Sequence, residues 1–125
     1  MSPSLTVLVD ARNVLRSTWP NIAEDDVLER SCAWARERGA RAVVVFDGVA
    51  PGGRVGEHEL EGCSVVGTGS DESADEWLTR AAADLATMGG RFWLVTSDRE
   101  LRAAAGEGAE QVLGGGRFAR ELLRV

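Results

Sequence analysis

The stretch LTVLVD, residues 5–10, is the clearest fold signal in the sequence: apolar and β-branched residues follow one another and end in an aspartate. ARAVVVFD (40–47) repeats this shape, and CSVVG (63–67), FWLVTSD (92–98) and EQVLG (110–114) are three more such runs. Continuous apolar runs are typical of strands buried on both faces, and so of a parallel sheet. We therefore predict a mostly parallel sheet of five strands.

Helical patterns alternate with these runs. AEDDVLERSCAWARERGA (23–40) has acids in its first turn, and SADEWLTRAAADLATMGG (73–90) has apolar residues along one side and a glycine pair at its end. DRELRAAAGEGA (98–109) and RFARELLRV (117–125) predict two shorter helices. The alternation predicts an α/β fold with helices on both faces of the sheet.

The remaining segments are assigned as connections. The chain of 125 residues has the length of one domain, 1–125. GVAPGGRVGEHELEG (48–62) is rich in glycine and acids, and we predict an exposed, flexible loop there. The glycines at 114–116 predict a turn before the last helix, and no helical pattern follows Asp10 directly.

The composition excludes several classes of protein. The net charge is −6, all 14 basic residues are arginine and lysine is absent, so no mechanism that needs a lysine applies. An acidic chain is also a poor nucleic-acid coat, which needs a basic surface. Cys32 and Cys63 are far apart and the chain has one histidine, which argues against a zinc site. Without a signal peptide or an apolar run long enough to cross a bilayer, we expect no membrane association and a cytoplasmic location, where a disulfide between these cysteines would be unusual.

Acidic side chains are predicted to gather at one edge of the sheet. Asp10, Asp47 and Asp98 each end a strand, and the carboxyl ends of parallel strands meet at the edge where such folds bind ligands. The third helix begins at the same edge, and its start adds Asp71, Glu72 and Asp75. Taken singly, each acid except Asp10 also has a structural explanation, whereas a carboxylate that ends a central apolar strand needs a partner. Acids in a first turn suit the helix dipole, Asp98 suits a helix cap and Asp47 suits a turn.

The conjunction of these acids favours a metal site. Several carboxylates at one edge raise one another's pKa unless a cation neutralises them, and all-oxygen ligands suit Mg²⁺ or Mn²⁺. Such ions usually serve phosphoryl chemistry. Three other α/β classes with acids at strand ends are excluded because the chain lacks residues that they need. Response-regulator receivers and haloacid-dehalogenase phosphatases need a lysine, and P-loop enzymes need GxxxxGK[ST].

Four motifs carry a resemblance to a known family. VLVDARNVL resembles the VDGxNVI opening of NYN domains, a branch of the PIN-like nuclease superfamily, and RAVVVFDG resembles their second strand. DESADEWLTRAA resembles the E-x-A-D-x-x-I helix start of the YacP-like bacterial subfamily. LVTSDRELRAAAGEGAEQVLGGGRFARELL is similar to the ending of that subfamily. The resemblance covers nearly the whole chain in the same motif order.

The resemblance implies a three-layer α/β/α fold with strand order 3-2-1-4-5, and acids that bind one or two Mg²⁺ or Mn²⁺ ions and cut RNA. By position, Asp10, Asp75 and Asp98 are the implied metal ligands and catalytic acids, with Glu72 as a further ligand and Asn13 as the partner of Asp10. Asp71 and Asp47 are candidates for outer ligands. The family's Gly-Tyr or Gly-Asn after the first aspartate is Ala11-Arg12 here, a departure that bears on substrate choice.

The sequence-based hypothesis is a metal-dependent endoribonuclease acting on single-stranded or loop RNA. The candidate phosphate contacts are Arg12, Arg16, Arg54, Arg99 and Arg102. Trp19 is a candidate for stacking on a base or for surface packing, and Trp34, Trp77 and Trp93 are assigned to the core. Two alternatives stay open: a module that binds RNA or a ribosome- or translation-associated partner without cutting, and a metal-dependent phosphatase or nucleotide hydrolase. The sequence leaves oligomerisation open.

Overall fold

The computed structural model describes residues 4–17 and 22–123. The strands within those residues are β1 (Leu5–Asp10), β2 (Arg41–Phe46), β3 (Gly56–Leu60), β4 (Cys63–Gly67), β5 (Arg91–Val95) and β6 (Gln111–Leu113). The helices are α1 (Ala11–Arg16), α2 (Glu24–Glu37), α3 (Ala74–Thr87), α4 (Arg99–Ala105) and α5 (Gly115–Leu122). In the described part of the chain, no helix combines the length and the apolar character that crossing a bilayer requires.

The strands form one sheet in the order β3-β4-β2-β1-β5-β6. β1 lies in the interior between β2 and β5, and every neighbouring pair is parallel except β3 with β4. The five predicted strands have the relative order 3-2-1-4-5, so the predicted fold class is confirmed. The described residues add a sixth strand at one edge.

The predicted flexible loop 48–62 is wrong in its second half, because β3 occupies Gly56–Leu60 and pairs antiparallel with β4. The two strands join through Glu61 and Gly62, and Gly62 has a φ of 75°, a conformation that suits glycine. Most side chains of β3 are exposed, so the strand lacks the apolar run that marks the others. The first half of the segment is also held in place, since Ala50 and Arg54 exchange backbone hydrogen bonds.

Two further predictions about helices are wrong. α1 follows β1 with no gap, and Asp10 is its N-terminal cap. α1 has only six residues, so its apolar pattern is too short to identify it. The glycines at 114–116 are not a separate turn, because Gly114 caps α5 and the helix begins at Gly115.

Alternate residues of β1 pack into two cores on opposite faces of the sheet. Val7 and Val9 belong to the core beneath α1, α2 and α5, which includes Phe118. Leu8 belongs to the core beneath α3 and α4, which includes Leu78. This arrangement confirms helices on both faces.

The tryptophans assigned to the core occupy different depths. Trp34 is buried and forms ring contacts with Trp93 and Phe118. Trp93 and Trp77 are partly buried and pack against the two cores from their edges. Trp19 lies outside the described residues.

Cys32 of α2 and Cys63 at the start of β4 form a disulfide, which the sequence did not lead us to expect. Both cysteines are buried, Cys32 on a helix and Cys63 at the start of a strand. α2 packs on the sheet face over β4, and this brings the two Cα atoms to 5.6 Å, within the usual range for a disulfide.

Candidate active site at the carboxyl edge of the sheet

The candidate acids lie where the central strands end. Asp10 is the last residue of β1, Asp47 follows β2, and Asp98 lies three residues beyond β5. Asp75 is in the first turn of α3. Because β1, β2 and β5 are parallel, their ends reach the same edge of the sheet.

Asp10 is the most buried of these acids, with 4% of its surface exposed. Its Oδ1 accepts the Asn13 N–H at 3.4 Å, and its Oδ2 accepts the Thr96 hydroxyl at 3.1 Å. Burial raises the pKa of Asp10 above its ordinary value of 3.8, and these two hydrogen bonds oppose the rise. The negative charge of Asp75 raises this pKa further, and Arg16 lowers it.

Thr96 connects two of the candidate acids and was not singled out from the sequence. The parallel pairing of Val9 with Val95 brings the next residues, Asp10 and Thr96, side by side. The fully buried Thr96 hydroxyl donates to the Asp10 carboxylate and accepts the Asp98 N–H at 3.1 Å. The available signal was a hydroxyl residue between a buried strand and an aspartate, in TSD.

Asp98 caps a helix, as its structural explanation predicted. Its Oδ1 accepts the Leu101 N–H at 2.9 Å, which satisfies an otherwise unpaired donor at the start of α4. The side chain is nevertheless exposed and negatively charged beside Asp75. The cap therefore holds this carboxylate at the edge of the sheet.

The pKa of Asp75 is changed by several neighbouring charges at once. Its side chain is exposed, but nearby protein atoms remove part of its water, and this is the largest cause of a pKa above the ordinary value of 3.8. The like charges of Asp98, Asp47 and Glu100, in decreasing order, raise the pKa of Asp75 further. Arg16 lowers it. The structure thus brings Asp10, Asp75, Asp98 and Asp47 into one electrostatic group, and it adds Glu100, which sequence reasoning missed.

Asp47 joins the end of β2 to the start of α3. Its Oδ1 accepts the Ala74 N–H at 3.0 Å, beside the capping box formed by Ser73 and Glu76. The backbone carbonyl of Asp47 accepts a hydrogen bond from Arg12 at 3.3 Å. Asp47 therefore positions the helix start that carries Asp75.

Glu72 differs from the other predicted ligands. Both of its carboxylate oxygens accept hydrogen bonds from the Arg80 guanidinium, which holds the pKa of Glu72 below its ordinary value. Arg80 therefore already neutralises the charge of Glu72. Asp71, the remaining candidate, is exposed.

Asn13 contacts Asp10 through its backbone N–H, whereas its side chain has a different partner. Its Oδ1 accepts the Ser97 N–H at 2.9 Å, and the Ser97 hydroxyl accepts the Gly115 N–H at 2.8 Å. These bonds tie α1, the loop after β5 and the start of α5 together. Asn13 thus fixes the loop that leads from Thr96 to Asp98.

The candidate phosphate-binding arginines divide into two groups. Arg12 is exposed in the first turn of α1, Arg16 at the end of α1 and Arg99 in the first turn of α4. Arg102, further along α4, donates a hydrogen bond to the Thr96 carbonyl at 3.0 Å. Arg54 donates to the Pro51 carbonyl at 2.7 Å and lines a separate groove beside α2. Its guanidinium therefore does not join the group at the carboxyl edge.

The carboxyl edge of the sheet is a candidate site for Mg²⁺ or Mn²⁺. Its donors are carboxylate oxygens, which both ions prefer, and a cation would relieve the mutual repulsion that raises the pKa of Asp75. Within residues 4–17 and 22–123, no three His, Cys, Asp or Glu side chains are close enough to hold one ion together. The residues fit such an ion by type and by charge, and the exposed carboxylates must turn toward Asp10 to bind it jointly.

Comparison with known proteins assigns the family. Residues 7–124 match the model of the YacP-like NYN domain. The chain belongs to this family. YacP-like NYN domains are a branch of the PIN-like nucleases, and membership supports an RNase-type function with RNA as the substrate.

Two solved structures resemble this YacP-like NYN domain. The crystal structure of the W164L mutant of Rae1 (YacP) from Bacillus subtilis has a TM-score of 0.72 and 25% identity, over 94% of this chain and 74% of that chain. The crystal structure of Rae1 (YacP) from the same organism has a TM-score of 0.68 and 24% identity, over 94% and 72%. No curated protein matches the chain.

Asp10→Asn is expected to leave this NYN domain at least as stable as the wild type at neutral pH. The folded protein holds the Asp10 proton more tightly than the unfolded chain, so the wild-type free energy of unfolding falls as pH rises from 3.8 through the raised pKa. The neutral amide does not titrate and keeps an oxygen to cap α1. Urea unfolding of both proteins across this pH window measures the difference. The prediction would be contradicted if the free energy of unfolding of the wild type rose relative to that of the variant as the pH increases.

Gly115→Ala is expected to destabilise the NYN domain by about 1–3 kcal/mol. A Cβ at Gly115 would lie 2.2 Å from Asn13 Oδ1 and 3.0 Å from the Asn13 carbonyl oxygen, so Asn13 must move away from Ser97. Gly116→Ala is the matched control, because its Cβ would meet nothing closer than 3.9 Å. An alanine there should be neutral or stabilising by about 0.5–1 kcal/mol in a helix. Equal unfolding midpoints for the two variants would refute the close packing at Gly115.

Proposed function

We propose that this protein is a metal-dependent endoribonuclease that hydrolyses phosphodiester bonds in single-stranded or loop RNA, with Mg²⁺ or Mn²⁺ as its cofactor. The observation that supports the proposal is the proximity of three carboxylates at the carboxyl edge of the sheet. The charge of Asp98 raises the pKa of Asp75, and the charge of Asp75 raises the pKa of Asp10. They come from the first turn of α3, the end of β1 and the cap of α4.

Asp10, Asp75 and Asp98 would hold the ion, which when bound supplies a positive charge for the phosphate oxygens. Thr96 keeps the Asp10 carboxylate in one orientation through a buried hydrogen bond. Asp75 would also accept the proton of the water that attacks phosphorus, while the bond from phosphorus to the leaving oxygen breaks.

Other residues position the substrate and the loop. Arg12, Arg16, Arg99 and Arg102 are the proposed phosphate contacts, and Arg54 is left out because it faces another groove. The Asn13 side-chain oxygen is engaged by Ser97, so we assign Asn13 to positioning the loop that carries Asp98.

The proposal is tested by incubating the purified protein with an end-labelled, unstructured RNA in Mn²⁺ and, in parallel, in EDTA. We expect internal cleavage in Mn²⁺ and none in EDTA. Cleavage that persists in EDTA would contradict the metal dependence. RNA binding without cleavage would favour a binding module, and turnover of a simple phosphate ester without RNA cleavage would favour a phosphatase.

A further inference from the structure

A groove runs between α3 and α4 and begins at Asp75. Its volume is about 480 Å³, within the range of roughly 300–1,000 Å³ that is typical of small-molecule sites. Glu76 lies on the α3 wall and Glu100 on the α4 wall, and Arg80 lines the groove one turn beyond Glu76. The groove is therefore continuous with the proposed site and has a chemistry of its own.

Small apolar side chains line the groove between these charges. Ala83 and Ala104 face it from the two helices, and the buried Leu101 closes its base. Alanines on two facing helices leave a slot for a flat group, and the apolar surface favours a ring over a hydrated ion. The lining thus suits a planar heterocycle.

The polar groups of the groove are held in place before any ligand arrives. Glu76 accepts the Ser73 N–H at 3.1 Å as part of the capping box, which fixes its carboxylate. Arg80 is fixed by its two hydrogen bonds to Glu72. Fixed polar groups bind a ligand without an ordering cost, so their chemistry sets its identity.

The negative charges exclude one part of an RNA strand and favour another. Within the groove, Glu76 and Glu100 would repel a phosphate. Carboxylates accept N–H groups, and guanine is the base that offers two adjacent donors, N1–H and the N2 amine, on its Watson–Crick edge. Adenine and cytosine offer one amine there, and uracil offers one N–H.

We propose that this groove is a subsite for one unpaired guanine base next to the phosphate that is cut. The inference rests on the proposed ribonuclease function and adds a base preference to it. The ring lies on Ala83, Leu101 and Ala104. Its N1–H and N2 amine meet the carboxylate of Glu76 or Glu100.

The test uses oligouridine RNA with a single guanosine, compared with the same RNA carrying inosine, which lacks the N2 amine. Wild-type protein in Mn²⁺ should cut next to guanosine roughly 10-fold faster than next to inosine, since a lost paired donor costs about that factor. Ala104→Leu fills the groove and should abolish the preference, so that this variant cuts next to guanosine and next to inosine at equal rates. Ala103→Leu is the matched control, because Ala103 is exposed on α4 and does not line the groove.

Two results would overturn the subsite: equal rates at guanosine and inosine in the wild type, or a preference that survives Ala104→Leu. Failure of the ribonuclease proposal looks different, because then no RNA is cut. In that case the fluorescence anisotropy of the two labelled oligonucleotides, measured without metal, decides the matter. Tighter binding of the guanosine RNA to wild type and to Ala103→Leu, but not to Ala104→Leu, supports the subsite. Equal binding refutes it.

Discussion

Asp75→Asn is expected to slow RNA cleavage by about 100- to 1,000-fold, which is typical for loss of a carboxylate that transfers a proton. The amide has nearly the same shape, but it carries no charge and cannot accept the proton. Because Asp75 is exposed and the capping box at Ser73 and Glu76 does not involve its side chain, the fold should survive the change. Initial rates on an end-labelled RNA in Mn²⁺ measure the effect.

The matched control for this variant is Asp84→Asn. Asp84 is exposed on the same helix and loses the same charge, but it lies three turns away from the start of α3. It should cleave RNA at close to the wild-type rate, and both variants should unfold at the wild-type temperature. If Asp75→Asn cleaves as fast as Asp84→Asn, the carboxylate of Asp75 is not part of the active site, or the activity comes from another nuclease.

Reduction of the Cys32–Cys63 disulfide is expected to lower the free energy of unfolding by about 3–4 kcal/mol. The bond joins residues 31 positions apart, and opening a loop of this length gives the unfolded chain more conformations. For a chain of this size the loss corresponds to a fall on the order of 10 °C in the unfolding temperature. Thermal unfolding with and without dithiothreitol measures it.

The double variant Cys32→Ala/Cys63→Ala is the control, since its unfolding temperature should not respond to dithiothreitol. An equal response in variant and wild type would show that the reductant acts elsewhere. Alkylation of the untreated wild type, followed by mass measurement, reports whether the bond has formed. In a reducing compartment, the reduced and less stable form should prevail.

The sheet was largely predictable because strands that are buried on both faces consist mostly of apolar residues. β1 and β2 are covered by helices on both faces, so nearly every residue is apolar. β3 carries no such mark, because Glu57, His58 and Glu59 are exposed and the strand is ordered by its pairing with β4. α1 was not predicted for a different reason, because its six residues make fewer than two helical turns and show too little of the helical pattern.

The grouping of acids at one edge could be inferred from strand direction alone, but their partners could not. The Thr96–Asp10 hydrogen bond depends on the register between β1 and β5, which no local motif contains. The Arg80–Glu72 pair spans eight positions across a helix start, outside the spacing of ordinary helical pairs. Glu100 joins the group only because α4 packs against α3. Contacts of this kind require the tertiary structure.

The position of β3 has a consequence for how the molecule behaves at high concentration. An outermost strand presents hydrogen-bonding groups that can recruit a strand from another copy and begin aggregation. β3 is the outermost strand on its side of the sheet, with exposed acids at Glu57 and Glu59, and Glu59 is paired with Arg41 of the same molecule. Two copies meeting along this strand would bring like charges together. The charge of Glu57, which is unpaired within the described residues, therefore disfavours the pairing of two copies along this edge of the sheet.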